Sequence, residues 1–269
     1  MSSSSQGASI FQQCYQTHGG SSNQELVILC ITEGLAGLYD KRVASSNNWL
    51  LILCGSLVFF MQLGFAMLCA GNVRRKNISN TLLKNLLDAC GAAIAFYSVG
   101  YALSFGDDDN PNASDFTFIG TRHFFLIADQ YGQVNMAFWF YQYAFSAAAV
   151  TIIAGTLAER CRMEAYIAYS IFMTGFVYPV IVHSLWSGHG FLSPAAAEPL
   201  GGVGAIDFAG SGVVHMTGGA TALVATYILG ARQGRFEDEN GDPVKPRKIP
   251  GHSISMQVMG CFILWFGCK

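Results

Sequence analysis

The sequence predicts an all-α membrane protein with five full transmembrane helices, a truncated sixth and the N-terminus outside. Three observations lead there. The 269 residues are 52% hydrophobic and only 12% charged, whereas a soluble domain averages about 25% charged. The few charges leave long stretches with none, and the basic residues gather in alternate loops. Thirty glycines and twenty phenylalanines suit the same class. A net charge of −2 gives no reason to expect a nucleic-acid partner.

A spanning helix needs roughly 20 apolar residues in a row. Residues 1–48 read as an extracellular segment. Its start is Ser/Gln-rich without the basic leader of a signal peptide. Leu26–Tyr39 is too short to span and is broken by Glu33, so a tail with one surface helix is expected. The spans are expected at about 49–71, 82–106, 135–158, 165–186, 206–230 and 252–268, within one domain covering 49–269. Span 2 carries Lys84 and Asp88 only near its start, and span 5 carries Asp207 only in its first turn.

Orientation follows from the loops. Arg74, Arg75, Lys76 and Lys84 follow span 1, Arg160 and Arg162 follow span 3, and five more basic residues between Arg232 and Lys248 follow span 5. These eleven lie on one side, against Lys41, Arg42 and Arg122 on the other, beside Asp107-Asp108-Asp109. The eleven belong in the cytoplasm. The eight cysteines contain no CxxC pair; Cys14 and Cys30 share the outer side and are able to pair, though nothing requires it. Asn112-Ala113-Ser114 is an outer glycosylation sequon, and Asn77-Ile78-Ser79 falls inside.

Polar and aromatic residues are placed by depth at ~1.5 Å of rise per residue. Span 5 runs inward, so Asp207 sits at the outer mouth and His215 ~12 Å deeper, near midplane. Span 3 also runs inward and brings Phe145 to the level of His215, with Tyr141 one turn above. Span 4 runs outward and sets Trp186 beside Asp207, with His183 one turn below. An ionisable residue at midplane marks a pathway or a site. Each position also has a plain structural reading. His215 suits a neutral imidazole bonded between helices, Asp207 a helix cap, Trp186 an interface anchor, and Tyr141 and Phe145 ordinary packing. Asp88 and Lys84 read as an intrahelical ion pair, and Glu159 and Arg160 as the inner anchor of span 3.

An aromatic face beside a carboxylate attracts a small cation. A phenylalanine then blocks hydrated ions, and a histidine exchanges protons near neutrality. The arrangement suits a substrate that enters charged and crosses at least partly uncharged, as ammonium does. A haem pair from His183 and His215 is disfavoured, since their heights differ by ~9 Å. No Walker A loop, GxSxG elbow or HExxH occurs, so neither an enzyme nor a cofactor is expected.

Asp207-Phe208-Ala209-Gly210-Ser211-Gly212-Val213-Val214-His215 resembles the signature of the Amt/Mep/Rh ammonium transporter family. Residues Met61 to Gly71 resemble its first-helix motif in the eukaryotic, plant-like branch, and Ala158-Glu159-Arg160 and Gly175-Phe176-Val177-Tyr178-Pro179 fit as well. The resemblance implies trimers of eleven-helix subunits in the plasma membrane. It also implies Trp186 and Tyr141 in the outer ammonium vestibule, Asp207 shaping it, Phe145 in a phenylalanine gate and His215 as a pore proton relay. In the family, the sixth span continues past the Trp-Phe-Gly seen at Trp265-Phe266-Gly267. The later part supplies a second gate phenylalanine, a vestibule serine and a second pore histidine. Residues 49–269 thus correspond to one of two inverted repeats. The expected function is ammonium transport as a homotrimer or a hetero-oligomer with full-length relatives. The alternative is a truncated, non-conducting subunit that modulates intact transporters.

Overall fold

The computed structural model describes residues 3–18, 24–108, 116–128, 133–238 and 242–268. The sequon at Asn112 and the last acid of the outer run, Asp109, lie outside them. The chain divides into two compact units, Met1–Leu51 and Ile52–Lys269.

The first unit holds α1 (Ser3–His18) and the start of α2 (Gln24–Asn72). A disulfide joins Cys14 to Cys30 across a Cα–Cα distance of 5.7 Å. This corrects the expectation of a single surface helix: two helices are cross-linked. A covalent staple holds together segments too small to bury a core of their own.

In the second unit, α3 (Arg75–Phe105), α4 (Met136–Leu157), α5 (Met163–Trp186) and α6 (Ser211–Leu229) are each long and apolar enough to cross a membrane, as is α2. The shorter α7 (Ile254–Gly267) is equally apolar. Among the described residues no strand forms, only isolated bridges such as Thr117 to Gly190. The outward surface is apolar, with Ile94, Phe172, Leu223, Ile228 and Phe262 exposed. That suits lipid, since the helices satisfy their own backbone polar groups.

Helix α4 is the centre of this unit. Ala144, Ala147, Ala149, Val150 and Ile153 are wholly buried, and α3, α5 and α6 pack against it. Alanines allow that crowding because small side chains let backbones approach. Asn135 starts α4 by accepting from the Ala137 and Phe138 amides at 2.9 and 3.2 Å. The second-unit part of α2 meets α7 so closely that a Cβ on Gly260 would sit 2.6 Å from the Leu68 amide nitrogen.

Sequence periodicity did not reveal that three spans contain π-helical turns: Phe96–Gly100, Met173–Val177 and Ser211–Met216. The first two lie side by side between α3 and α5. Helix α6 also begins later than expected. Residues 206–210 are not helical, and Gly210 turns the chain at φ +88°. The ~12 Å depth of His215 below Asp207 assumed helical rise throughout, which residues 206–210 do not follow.

Buried acids tie the helix ends. Glu159, at a left-handed φ of +62°, accepts from Arg74 Nε at 2.9 Å, Asn77 Nδ2 at 2.5 Å and the Arg74 amide at 3.2 Å. Arg232 pairs with its other oxygen at 3.1 Å. One side chain thereby joins the connectors after α2, α4 and α6, more than the simple anchor expected. Burial alone would raise its pKa, yet the hydrogen bonds from Arg74 and Asn77 and the Arg74 charge hold it below the ordinary value. At the other end, Asp107 accepts from Thr121 N at 2.8 Å. Asp108 accepts from Ser187 Oγ at 2.5 Å and Gly188 N at 3.2 Å. Burial pushes the Asp108 carboxyl up, against the Ser187 hydrogen bond.

The expected Lys84–Asp88 ion pair does not form. Lys84 donates to the Cys161 carbonyl at 2.7 Å and lies 5.0 Å from the Tyr166 ring centre, while Tyr166 OH donates to Asp88 at 2.5 Å. Both side chains turn towards α5 and its preceding loop. A buried carboxylate and ammonium each gain more from a donor or acceptor on the packed neighbour than from an intrahelical partner.

Two stability tests follow from these contacts. Gly260→Val should destabilise the α2–α7 contact by about 1–3 kcal/mol through overpacking, read as a lower melting temperature in detergent. The depressed Glu159 pKa means that its contribution is fully present above the unfolded value near 4.5 and is lost as pH falls through the folded value. Thermal melts should therefore weaken below about pH 4.5. Glu159→Gln should lower the melting temperature at neutral pH and flatten that acid limb. Asp108 has the opposite sign, so the wild-type-minus-variant difference isolates Glu159.

Candidate functional site

Four of the five residues singled out by depth meet around one cavity of about 380 Å³, lined by Tyr141, Phe145, Trp186 and Asp207 together with Gln142 and Phe208. Tyr141 and Phe145 project from one face of α4 one turn apart, their rings edge to face with centroids 5.0 Å apart. Trp186 closes α5 and sets its ring edge to face with Phe145 at 5.8 Å. The three rings form a continuous aromatic wall.

Asp207 organises the wall's far edge. Its Oδ1 accepts from Gly210 N at 2.8 Å and Ser211 N at 2.7 Å, and its Oδ2 from Gly212 N at 3.0 Å and Val213 N at 2.8 Å. Four amides at the head of α6 thus end on one carboxylate, the strongest form of N-terminal cap. The Asp207 carbonyl accepts from Trp186 Nε1 at 2.7 Å. The indole is therefore fixed by the same residue that starts the next helix. With both oxygens engaged by backbone amides, Asp207 acts on the cavity through shape and charge. The capping reading of Asp207 is the one its geometry displays.

Gln142 escaped the sequence reading. It is buried, lines the cavity, and its Oε1 has no hydrogen-bond partner among the described residues. A buried amide oxygen without a donor is costly. The available signal was one amide side chain next to Tyr141 in an otherwise apolar span.

His215 stands apart. It belongs to the π turn at the head of α6 and is not among the residues lining the aromatic cavity. Its Nδ1 lies 3.0 Å from the Gly210 carbonyl. A carbonyl only accepts, so Nδ1 is the donor in this contact. The ring lies on an exposed face of α6 that also carries Met216, Leu223 and Tyr227. His183 is wholly buried and both its nitrogens are engaged, Nε2 with Thr117 Oγ1 at 2.8 Å and Nδ1 with the Ser104 carbonyl at 2.9 Å. It is a structural tie with no nitrogen left for a metal.

Asp207→Asn should expose how much depends on the cap. The amide nitrogen would face N–H donors in place of an acceptor, costing about 2–4 kcal/mol. Tryptophan fluorescence of the purified variant should also report a loosened Trp186, since its carbonyl partner moves with the cap.

Comparison with known proteins bears on the chain as a whole. The sequence profile described as the Ammonium Transporter Family matches residues 49–268. Ammonium transporter 1 member 3 of Solanum lycopersicum is 47% identical over 230 residues, covering 85% of this chain and 48% of that protein. Ammonium transporter Amt2 of Archaeoglobus fulgidus is 44% identical over 221 residues, covering 81% and 45%. Among solved structures, a Sensor Amt Protein aligns with a TM-score of 0.66 at 32% identity, covering 82% of this chain and 52% of that one. Mep2 of Candida albicans aligns at 0.62 and 29%, covering 82% and 46%. The chain spans about half the length of the curated relatives it matches. Its apolar helices and its similarity to these relatives describe an integral membrane protein, and the chain belongs to the Ammonium Transporter Family.

Proposed function

We propose that this chain takes part in moving ammonium across a membrane, with the aromatic cavity as its outer vestibule. The observation that carries the reading is the convergence of Tyr141, Phe145 and Trp186 with the unpartnered Gln142 oxygen on one cavity. Aromatic faces attract a small cation, and an amide oxygen accepts one of its N–H bonds. Asp207 holds Trp186 in place and adds negative charge near the cavity. Phe145, between Tyr141 and Trp186, is the gate that a hydrated ion does not pass. Beyond it, the His215 Nε2 lone pair takes the proton or N–H of the substrate.

The same reading makes residues 49–269 the transporter domain and residues 1–48 an extracellular segment, in the plasma membrane. The excess of basic residues on the opposite side supports that orientation. The Cys14–Cys30 disulfide supports it too, because such bonds persist in oxidising compartments. Assembly is as a homotrimer or with full-length relatives.

The exposed face of α6 around His215 favours a second reading, in which the chain is a non-conducting subunit seated against intact relatives. One experiment separates the two. The chain is expressed in ammonium-starved cells lacking their own transporters, alone and beside a complete relative. Uptake by the chain alone supports conduction, and a change in the relative's uptake with co-purification supports the subunit reading. Neither effect would overturn both.

If conduction is observed, Trp186→Leu should raise the apparent KM roughly 2–30-fold, the loss of one cation–π contact. Gln142→Leu should act in the same direction. His215→Ala should lower the maximal uptake rate with a smaller effect on KM, since His215 lies outside the vestibule.

A further inference from the structure

At the end of the helices opposite the aromatic cavity, the connectors after α2, α4 and α6 enclose a second cavity of about 580 Å³. Arg74, Lys76, Lys84, Arg160 and Arg162 line it, with Glu159 as the single carboxylate among the described lining residues. Glu159 pairs with Arg74 and with Arg232 and accepts from Asn77, so it leaves the charges of Lys76, Lys84, Arg160 and Arg162 unbalanced. Lys84 is steered to the Cys161 carbonyl and the Tyr166 ring, with two of its three N–H bonds left over. Arg160 is the telling residue. Its Nε and Nη1 are buried and have no acceptor among the described residues. Guanidinium nitrogens removed from water without an acceptor are costly, and among the described lining residues the only carboxylate is the engaged Glu159. Lys76 is exposed at the rim.

We infer that this cavity binds a phosphate group, held by Arg160 and Arg162 with Lys76 and Lys84 around it. Guanidinium groups match phosphate oxygens in paired hydrogen bonds, and an anion here supplies the acceptor that Arg160 lacks. Clustered lysines and arginines where apolar helices end are placed to meet an anionic lipid headgroup at the membrane surface, and the same chemistry accepts free phosphate. The inference uses no residue of the aromatic cavity and stands whether or not the ammonium reading holds.

The test uses the full chain purified in phospholipid-free detergent and, separately, in phosphatidylcholine nanodiscs with or without phosphatidic acid. Inorganic phosphate should raise the melting temperature with concentration, whereas chloride at matched ionic strength should not. In mixed nanodiscs, native mass spectrometry should find phosphatidic acid retained over phosphatidylcholine. A phosphate response without lipid retention identifies a soluble ligand, and retention identifies the headgroup; either supports the site. Arg160→Gln should weaken the response about tenfold, the loss of a charge-assisted hydrogen bond, and Arg160→Lys should restore part of it. Lys76→Gln, at an exposed position with no structural bond, carries the comparison if Arg160→Gln does not fold. Absence of both a phosphate response and phosphatidic acid retention in the wild-type chain overturns the inference, as does a response unchanged in the folded variants.

Discussion

The second unit depends on one carboxylate reading four amides. Asp207 terminates the N–H groups at the head of α6 and, through its carbonyl, holds the Trp186 indole at the end of α5. Free amides at a helix start need acceptors, and here four of them find the same side chain. The consequence is geometric. The direction of α6, the sharp turn at Gly210, the orientation of His215 against the Gly210 carbonyl and the placement of the aromatic wall are set together. A change at this point reaches every part of the proposed pathway without touching the substrate.

The rest of the frame follows the same logic of buried acids closing loops. Glu159 gathers three connectors at one end. Asp107, Asp108 and His183 gather the loops at the other, His183 with both ring nitrogens spent. Between them, α4 contributes a nearly all-small surface and the π turns of α3 and α5 lie against each other. Apolar helices in lipid gain little from hydrophobic burial against one another. Small-residue packing and charged ties at the ends therefore carry much of the specificity. The helix ends differ in character: one holds an aromatic, weakly polar cavity and the opposite one a strongly cationic cavity. That asymmetry parallels the loop charges from which the orientation is read.

Much of the aromatic cavity was legible in the chain because membrane helices impose a known rise and alternate in direction. Tyr141, Phe145, Trp186 and Asp207 lie on three different spans, and counting residues from the span ends sets Trp186 and Asp207 at the mouth, Tyr141 below them and Phe145 deeper, level with His215. All four line one cavity, which His215 does not. The count loses its basis where the backbone leaves the helix: residues 206–210 are not helical, so helical rise does not carry from Asp207 to His215. Gln142 was passed over because a single amide in an apolar run is common. Only its buried, partnerless oxygen gives it weight. The Lys84–Asp88 spacing indicated a bond that the neighbouring α5 outcompetes, and a spacing rule has no term for a neighbour.

By itself the sequence determined the all-α class, the number and order of the apolar helices, the sidedness of the charges and the family motif around Asp207 to His215. Each of these is a property of local composition, and the bilayer acts on composition directly through the cost of charge in hydrocarbon. The tertiary structure decided which partners the polar residues take: Glu159 with three connectors, Tyr166 with Asp88, Cys14 with Cys30, Asp207 with four amides and an indole. A buried donor or acceptor bonds to whatever the packed neighbour presents within about 3 Å, and that neighbour is set by the three-dimensional fold.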